Sequence, residues 1–276
     1  MFDNQEFQTI KSLMDERGIH AKRAYGQNFL IDRNKIEEIL SQFDFKTYDT
    51  VVEIGPGLGA LTLPISERAK SVIAVEADRD MVALLTERLQ GKSNVTIVPS
   101  PFEHWDQKGI SGRLAVIGNL PYNLTTKLLE LAVQMKASDL GFMVQKEVAD
   151  KITYTAKQKA WSALAGYLHL LGSIGGSIQV PRGCFYPVPG VDSTFVKLNI
   201  TASVPFSAYL GFKKLLLTPN KKLSNVIPQI VHDPDKRALI DEKFADILGF
   251  RAHQLTPEQL LPLALLVGEK QDRSII

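Results

Sequence analysis

The chain has little that would hold a fold together covalently or through metal. Among 276 residues there is one cysteine, Cys184. An intrachain disulfide is therefore excluded, and a reducing compartment is expected. No group of Cys and His has the spacing of a metal site, so no metal is expected. Long apolar runs are missing too. The longest late one, Leu260 to Val267, is too short to cross a bilayer. The opening Met-Phe-Asp-Asn-Gln-Glu carries neither a signal-type apolar core nor a basic amphipathic leader. A soluble cytoplasmic protein without a membrane partner is expected, and repeats and low-complexity tracts are absent from the sequence. Acid is scarce in one region. Residues 151–232 hold nine Lys/Arg against a single acid, Asp192, a net of +8, while the rest of the chain carries −6. That asymmetry suits a polyanion docking on one side, although an ordinary solvated face would look the same on charge alone.

Val51-Val52-Glu53-Ile54-Gly55-Pro56-Gly57-Leu58-Gly59 is the stretch that organises the chain. β-branched residues run into glycines at every second position, as where a buried strand turns sharply beneath a nucleotide-type ligand. Gly55-x-Gly57-x-x-Ala60 formally fits a dinucleotide fingerprint. Glu53 argues against that ligand, because a carboxylate before the turn repels a pyrophosphate. It suits S-adenosylmethionine, which carries a sulfonium and an ammonium. Glu76 ends the next apolar run, where a carboxylate can accept from ribose hydroxyls; that feature fits either ligand.

Strands are expected over 71–75, 94–98, 114–117 and 140–144, with helices over 58–68, 78–89, 125–135, 145–155 and 160–171. This alternation means a parallel sheet covered on both faces. Strands over 174–180 and 194–200 are expected to close it as an antiparallel pair. A helix over 3–17, a second over 34–43 capped by Asp32, and helices over 205–217, 220–231, 235–248 and 256–267 complete the reading. The domains expected are 1–201, a class I, Rossmann-like α/β methyltransferase domain, and 202–276, a small all-helical domain.

Asn119-Leu120-Pro121-Tyr122 follows the fourth strand on the same sheet edge as the glycines. An exocyclic adenine amine is a poor nucleophile because its lone pair is delocalised into the ring. The Asn119 side-chain oxygen and the Leu120 carbonyl can each accept one N6–H bond and draw the nitrogen toward pyramidal geometry. Pro121 fixes the chain direction, and Tyr122 can stack on the base, which is worth about 1–3 kcal/mol. A proline turn with Asn as a local cap is the alternative for the tetrapeptide taken alone.

Five motifs occur in order: Gln27-Asn28-Phe29-Leu30, Glu53 to Gly59, Asn119 to Tyr122, Gln145-Lys146-Glu147-Val148-Ala149, and Phe185-x-Pro187-x-Pro189-x-Val191-Asp192-Ser193. Over about residues 20–200 the chain resembles the KsgA-type small-subunit ribosomal RNA adenine dimethyltransferases. The resemblance implies transfer of two methyls to N6 of each of two adjacent adenosines near the 3′ end of small-subunit rRNA. The large-subunit Erm-type methylases share the core, and a binding-only assembly factor could keep the fold. The cofactor contacts implied are Gln27, Asn28, Leu30, Glu53, Gly55, Gly57, Glu76, Ser100 and Asn119. The target adenine would meet Asn119, Leu120, Pro121 and Tyr122, with Phe185 on its other face. The partner implied is small-subunit rRNA in the immature subunit, bound by a monomer with help from the C-terminal domain. Three positions depart from the pattern. Ser100 stands where the family has an Asp that accepts from the cofactor's adenine amine, Gly190 replaces a basic residue, and the basic C-terminal segment shrinks to Pro219-Asn220-Lys221-Lys222.

Overall fold

The computed structural model describes residues 12, 14, 16–18, 20–22, 26–122, 124–153 and 161–269. The expected helix over 3–17 lies for the most part outside them. The chain divides into two compact units. The first comprises Met1–Ala149 with Ile174–Ile200, the second Asp150–Ser173 with Thr201–Ile276.

The first unit is built on a seven-stranded sheet. Its strands are β2 (Thr50–Ile54), β3 (Val72–Glu76), β4 (Val95–Pro99), β5 (Leu114–Asn119), β6 (Asp139–Gln145), β7 (Gly172–Val180) and β9 (Ser193–Ile200), in the order β4-β3-β2-β5-β6-β9-β7. The five strands from β4 to β6 are parallel, and β9 runs antiparallel to β6 with Phe142 opposite Val196. Val51, Val52, Ala115, Val116 and Ile117 are wholly buried, as a parallel sheet covered on both faces requires. The class I, Rossmann-like methyltransferase architecture is thus present. Chain order reverses direction between β2 and β5, and such a crossing is where open α/β sheets hold ligands.

Helices α1 (Arg33–Leu40), α2 (Thr62–Ser66), α3 (Arg79–Arg88), α4 (Thr125–Ala132) and α5 (Lys146–Ile152) connect these strands. Asp32 caps α1, its side chain accepting from Lys35 N at 2.9 Å. The helix expected over 58–68 is reduced to α2. Gly55, Gly57 and Gly59 all have φ between 54° and 82°, so the chain turns repeatedly before a helix can start. A two-stranded ribbon was not foreseen: β1 (Phe29–Leu30) pairs antiparallel with β8 (Phe185–Tyr186), Leu30 opposite Phe185.

The second unit is all helical: α6 (Ala163–Leu171), α7 (Phe206–Leu215), α8 (Leu223–Ile230), α9 (Pro234–Lys243) and α10 (Pro257–Gly268). Sequence reading placed residues 150–173 in the first domain; the structure groups them with the second. The reason is apolar packing. α6 is buried at Leu164, Ala165, Gly166, Tyr167, Leu168 and Leu171. Trp161 just before it donates to the Leu255 carbonyl at 2.9 Å and meets Phe212 edge-on at 5.2 Å. Such an all-round apolar helix must be enclosed, and the helices after residue 201 enclose it.

α7 and α10 approach through glycine. A methyl added at Gly211 would lie 1.9 Å from the Ala264 carbonyl oxygen. Replacing a helical glycine with alanine normally gains about 1 kcal/mol, but overpacking against rigid backbone costs about 1–3 kcal/mol. Gly211→Ala is expected to lower stability in urea denaturation despite its better helix propensity; a gain would mean that the two helices can part without cost.

Candidate cofactor and adenine site

A cavity of about 300 Å³ opens over the carboxyl ends of the parallel strands. Its walls come from four segments. Gly26 to Leu30 forms one, Glu53 to Leu58 a second, Val75 to Ala77 a third, and Asn119 to Tyr122 a fourth, with Pro101, Phe102 and Glu103 at the β4 end.

The glycine loop fits this role locally. Gly57 has φ 54°, and a Cβ there would press on the Phe29 ring at 3.0 Å. Its N–H donates to Glu76 Oε2 at 2.9 Å, and Asp78 N donates to Glu76 Oε1 at 2.8 Å. Burial raises the pKa of Glu76, and these two backbone donors oppose the shift. No backbone donor opposes the rise in the pKa of Glu53, only the Thr62 side chain. Glu53 is buried, and its Oε2 has no hydrogen-bond partner. Burial pushes its pKa up to about 8, with the neighbouring Glu76 charge adding to the rise. A lone buried carboxylate in a cavity wall is a costly arrangement that a cationic ligand relieves.

Lys22 and Gln27 are fastened to the same edge. Gln27 Nε2 donates to Asp78 Oδ2 at 2.8 Å, and Gln27 Oε1 accepts from Lys22 N at 2.8 Å. Lys22 Nζ bridges Asp78 and Asp80, each at 2.6 Å. Burial works against the Asp78 charge, but the bonds from Lys22 and Gln27 hold its carboxyl below the usual range. Gln27 thus lines the cavity with both ends of its amide already engaged. From the end of β5, the Asn119 Nδ2 donates to the Asn28 carbonyl at 2.8 Å. That commits the nitrogen and leaves Oδ1 as the acceptor of the amide. Pro121 O accepts from Leu124 N at 3.0 Å, which closes the turn after the strand. The Tyr122 hydroxyl lies 2.8 Å from Ser193 Oγ, and burial raises its pKa.

The structure brings together Gln27, Asn28, Leu30, Glu53, Gly55, Gly57, Glu76, Asn119, Leu120, Pro121 and Tyr122 around one cavity. Two expected residues are not among its walls. Phe185 is 1% exposed, packed in the core with Leu30 and Ile178, because the β1–β8 pairing turns it inward. Its ring is not presented to a ligand. Ser100 is half-buried, and its hydroxyl donates to the Pro101 carbonyl at 3.0 Å. Sequence reading missed Glu103, Asp78 and Ser193 as neighbours of the site. Asp78 was legible only as a helix start, and nothing in the local sequence announces its bond to Gln27.

The chain matches the ribosomal RNA adenine dimethylase family over residues 18–263. It belongs to that family. The ribosomal RNA small subunit methyltransferase A of Ralstonia nicotianae is 39% identical over 185 residues, 66% of each chain. The protein of the same name from Lactiplantibacillus plantarum is 35% identical over 221 residues, covering 74% of this chain and 73% of that one. The matched stretch thus spans about two thirds of the first relative and a little more of the second. Among solved structures, a dimethyladenosine transferase from Plasmodium falciparum superposes with TM-score 0.70 at 21% identity, over 85% of this chain and 94% of that one. The 23S rRNA methyltransferase ErmE superposes with TM-score 0.64 at 24% identity, over 88% and 100%. These two likenesses speak for the fold alone. As a ribosomal RNA adenine dimethylase, the chain is a methyltransferase that uses S-adenosylmethionine, and the orphaned Glu53 oxygen fits that cationic cofactor.

Glu53 generates a pH prediction. Its pKa is raised on folding from 4.5 to about 8, so the folded state favours the protonated form. The group costs no stability below pH 4.5, an increasing amount as pH rises toward about 8, and no more beyond. Glu53→Gln is expected to make the ligand-free protein more stable than wild type at pH 8, by a margin that vanishes near pH 4.5. The same variant should bind S-adenosylhomocysteine, which carries the ammonium, more weakly. Denaturation at the two pH values and calorimetry check both, and equal stabilities at pH 8 would contradict the buried charge.

Proposed function

We propose that this ribosomal RNA adenine dimethylase adds two methyls to N6 of each of two adjacent adenosines near the 3′ end of small-subunit rRNA. The observation that carries the reading is the Asn119 amide, oriented by its bond to the Asn28 carbonyl, in one cavity with Glu53 and the glycine loop. The names of the two curated relatives described above, both small-subunit methyltransferases, favour this rRNA over the large-subunit one.

When bound, the cofactor supplies an electrophilic methyl group. The chain's own residues do the rest by position. Glu53 faces the cationic part, Glu76 the ribose, and Gln27, Asn28, Leu30, Gly55 and Gly57 shape the walls around them. Asn119 Oδ1 and the Leu120 carbonyl accept the two N6–H bonds, which lets the nitrogen lone pair turn toward the methyl. Tyr122 stacks on the base, with its hydroxyl held by Ser193. No side chain with a matched pKa is required, because the amine loses its proton after transfer. The rate comes from holding two reacting atoms in line. The base must be unpaired or flipped out, since N6 of a paired adenine faces its partner.

The helical unit contributes rRNA phosphate contacts through exposed lysines. Lys213, Lys221 and Lys222 are all exposed, and salt-dependent, sequence-independent binding is expected from them. Specificity then comes from the shape of the immature small subunit. Among the described residues no helix is long and apolar enough to cross a membrane. The reading makes the protein a cytoplasmic monomer acting on ribosomal particles.

Radiolabelled methyl transfer to small subunits from cells lacking the modification tests the reading, with large-subunit rRNA in parallel. N6,N6-dimethyladenosine from small subunits alone is expected. Label only in the large-subunit RNA would move the chain to the Erm-type branch, and binding without label would make it an assembly factor. Asn119→Ala is expected to reduce transfer by at least a hundredfold, with circular dichroism and melting unchanged. Near-wild-type turnover would remove Asn119 from its role.

A further inference from the structure

Three carboxylates face the cavity from three neighbouring strands. Glu53 lies in β2, Glu76 ends β3, and Glu103 sits in the 3-10 turn Phe102–His104 just after β4. β2, β3 and β4 are consecutive in the sheet, and neighbouring strands stand about 5 Å apart. S-adenosylmethionine has its own fixed order: the charged amino acid and sulfonium, then ribose, then adenine. Glu53, buried and lacking a partner on one oxygen, calls for the cation. Glu76 follows at the ribose. The adenine then falls beside the turn after β4, where the walls are Pro101, Phe102 and Glu103.

The chemistry of that end is specific. Adenine joined to ribose has one hydrogen-bond donor group, its exocyclic amine, and calls for an acceptor. The Ser100 hydroxyl is turned toward the Pro101 carbonyl, and Ser100 forms no part of the cavity wall. Glu103 does, and its side chain is only 22% exposed. Lys127 on α4 holds it, Nζ to Oε1 at 3.0 Å, the Glu103 backbone N–H also bonds the carboxylate, and a carboxylate with about four lone-pair sites still has room to accept from a ligand. The Lys127 hydrogen bond also keeps the Glu103 carboxyl below the usual range, so it is charged at neutral pH.

We propose that Glu103, positioned by Lys127, recognises the adenine amine of S-adenosylmethionine in this chain, in place of position 100. The proposal rests on the reading of the cavity as the cofactor site. It explains how a chain with serine at position 100 keeps a charged acceptor for the cofactor: the carboxylate is supplied from the next turn of backbone, three residues on.

The test compares two ligands by calorimetry, S-adenosylhomocysteine and S-inosylhomocysteine, whose purine carries an oxygen in place of the amine. Loss of a hydrogen bond to a charged acceptor, with an oxygen now facing it, corresponds to about tenfold or more in affinity. Wild-type protein is expected to prefer S-adenosylhomocysteine by that factor. Glu103→Ala should bring the ratio near one, chiefly by weakening the amine-bearing ligand, and Ser100→Ala should keep the wild-type ratio. A Glu103→Ala protein that discriminates as wild type does overturns the proposal. So does loss of discrimination in Ser100→Ala, or a wild type without preference. Failure of both ligands to bind wild-type protein would overturn the reading of the cavity itself, and this proposal with it.

Discussion

Two backbone N–H groups converge on the buried carboxylate of Glu76, one from Gly57 and one from Asp78. The rest of the site hangs from that junction. The first bond fixes the glycine loop against the end of the neighbouring strand. The second fixes the start of α3, whose cap is Asp78. Asp78 in turn holds Gln27 and Lys22. Asn28, next to Gln27 in the chain, offers its carbonyl to Asn119. A continuous run of hydrogen bonds thus passes from the glycine loop around the cavity to the residue assigned to the adenine amine. Hydrogen bonds to charged groups in a part-buried setting are individually about 1.5–3 kcal/mol. Here they act on geometry more than on stability, because each one orients a group that faces the ligand.

The cavity also carries a cost. Glu53 is enclosed without a partner for one oxygen, in a chain that could place glutamine or leucine there. An enclosed acid of this kind, forced to hold its proton near neutral pH, destabilises the empty protein and can ionise against a cationic ligand, a trade between stability and function seen where binding sites are preorganised. Glu76 shows the opposite solution, a buried carboxylate compensated by backbone. Both line the cavity, and they differ because backbone N–H groups reach the Glu76 carboxylate.

Much of the site was legible because its signals are local. Strand, glycine turn and acidic residue follow one another within nine positions, and Asn119 to Tyr122 are contiguous. Asp32 announced its helix because capping is a matter of three or four residues. What sequence could not show is contact at long range. Phe29 and Leu30 pair with residues more than 150 positions away, and that pairing turns Phe185 into the core. Phe185, implied by the resemblance for the other face of the adenine, lies outside the cavity walls for that reason. The helical segment 163–171 was assigned to the wrong unit because its apolar surface does not say which partner encloses it. Glu103 carried no motif at all; only the order of strands in the sheet gives it meaning.

The central claim is that the walls of the cavity are set by the Glu76 junction before any ligand arrives. Amide hydrogen exchange of the ligand-free protein, followed by NMR at Gly57 and Asp78, tests it directly. Both amides are predicted to exchange far more slowly than in an unstructured peptide, and to gain little further protection when S-adenosylhomocysteine is added. Peptide-like exchange in the free protein, with protection appearing only on binding, would mean that the ligand builds the site and would contradict the account.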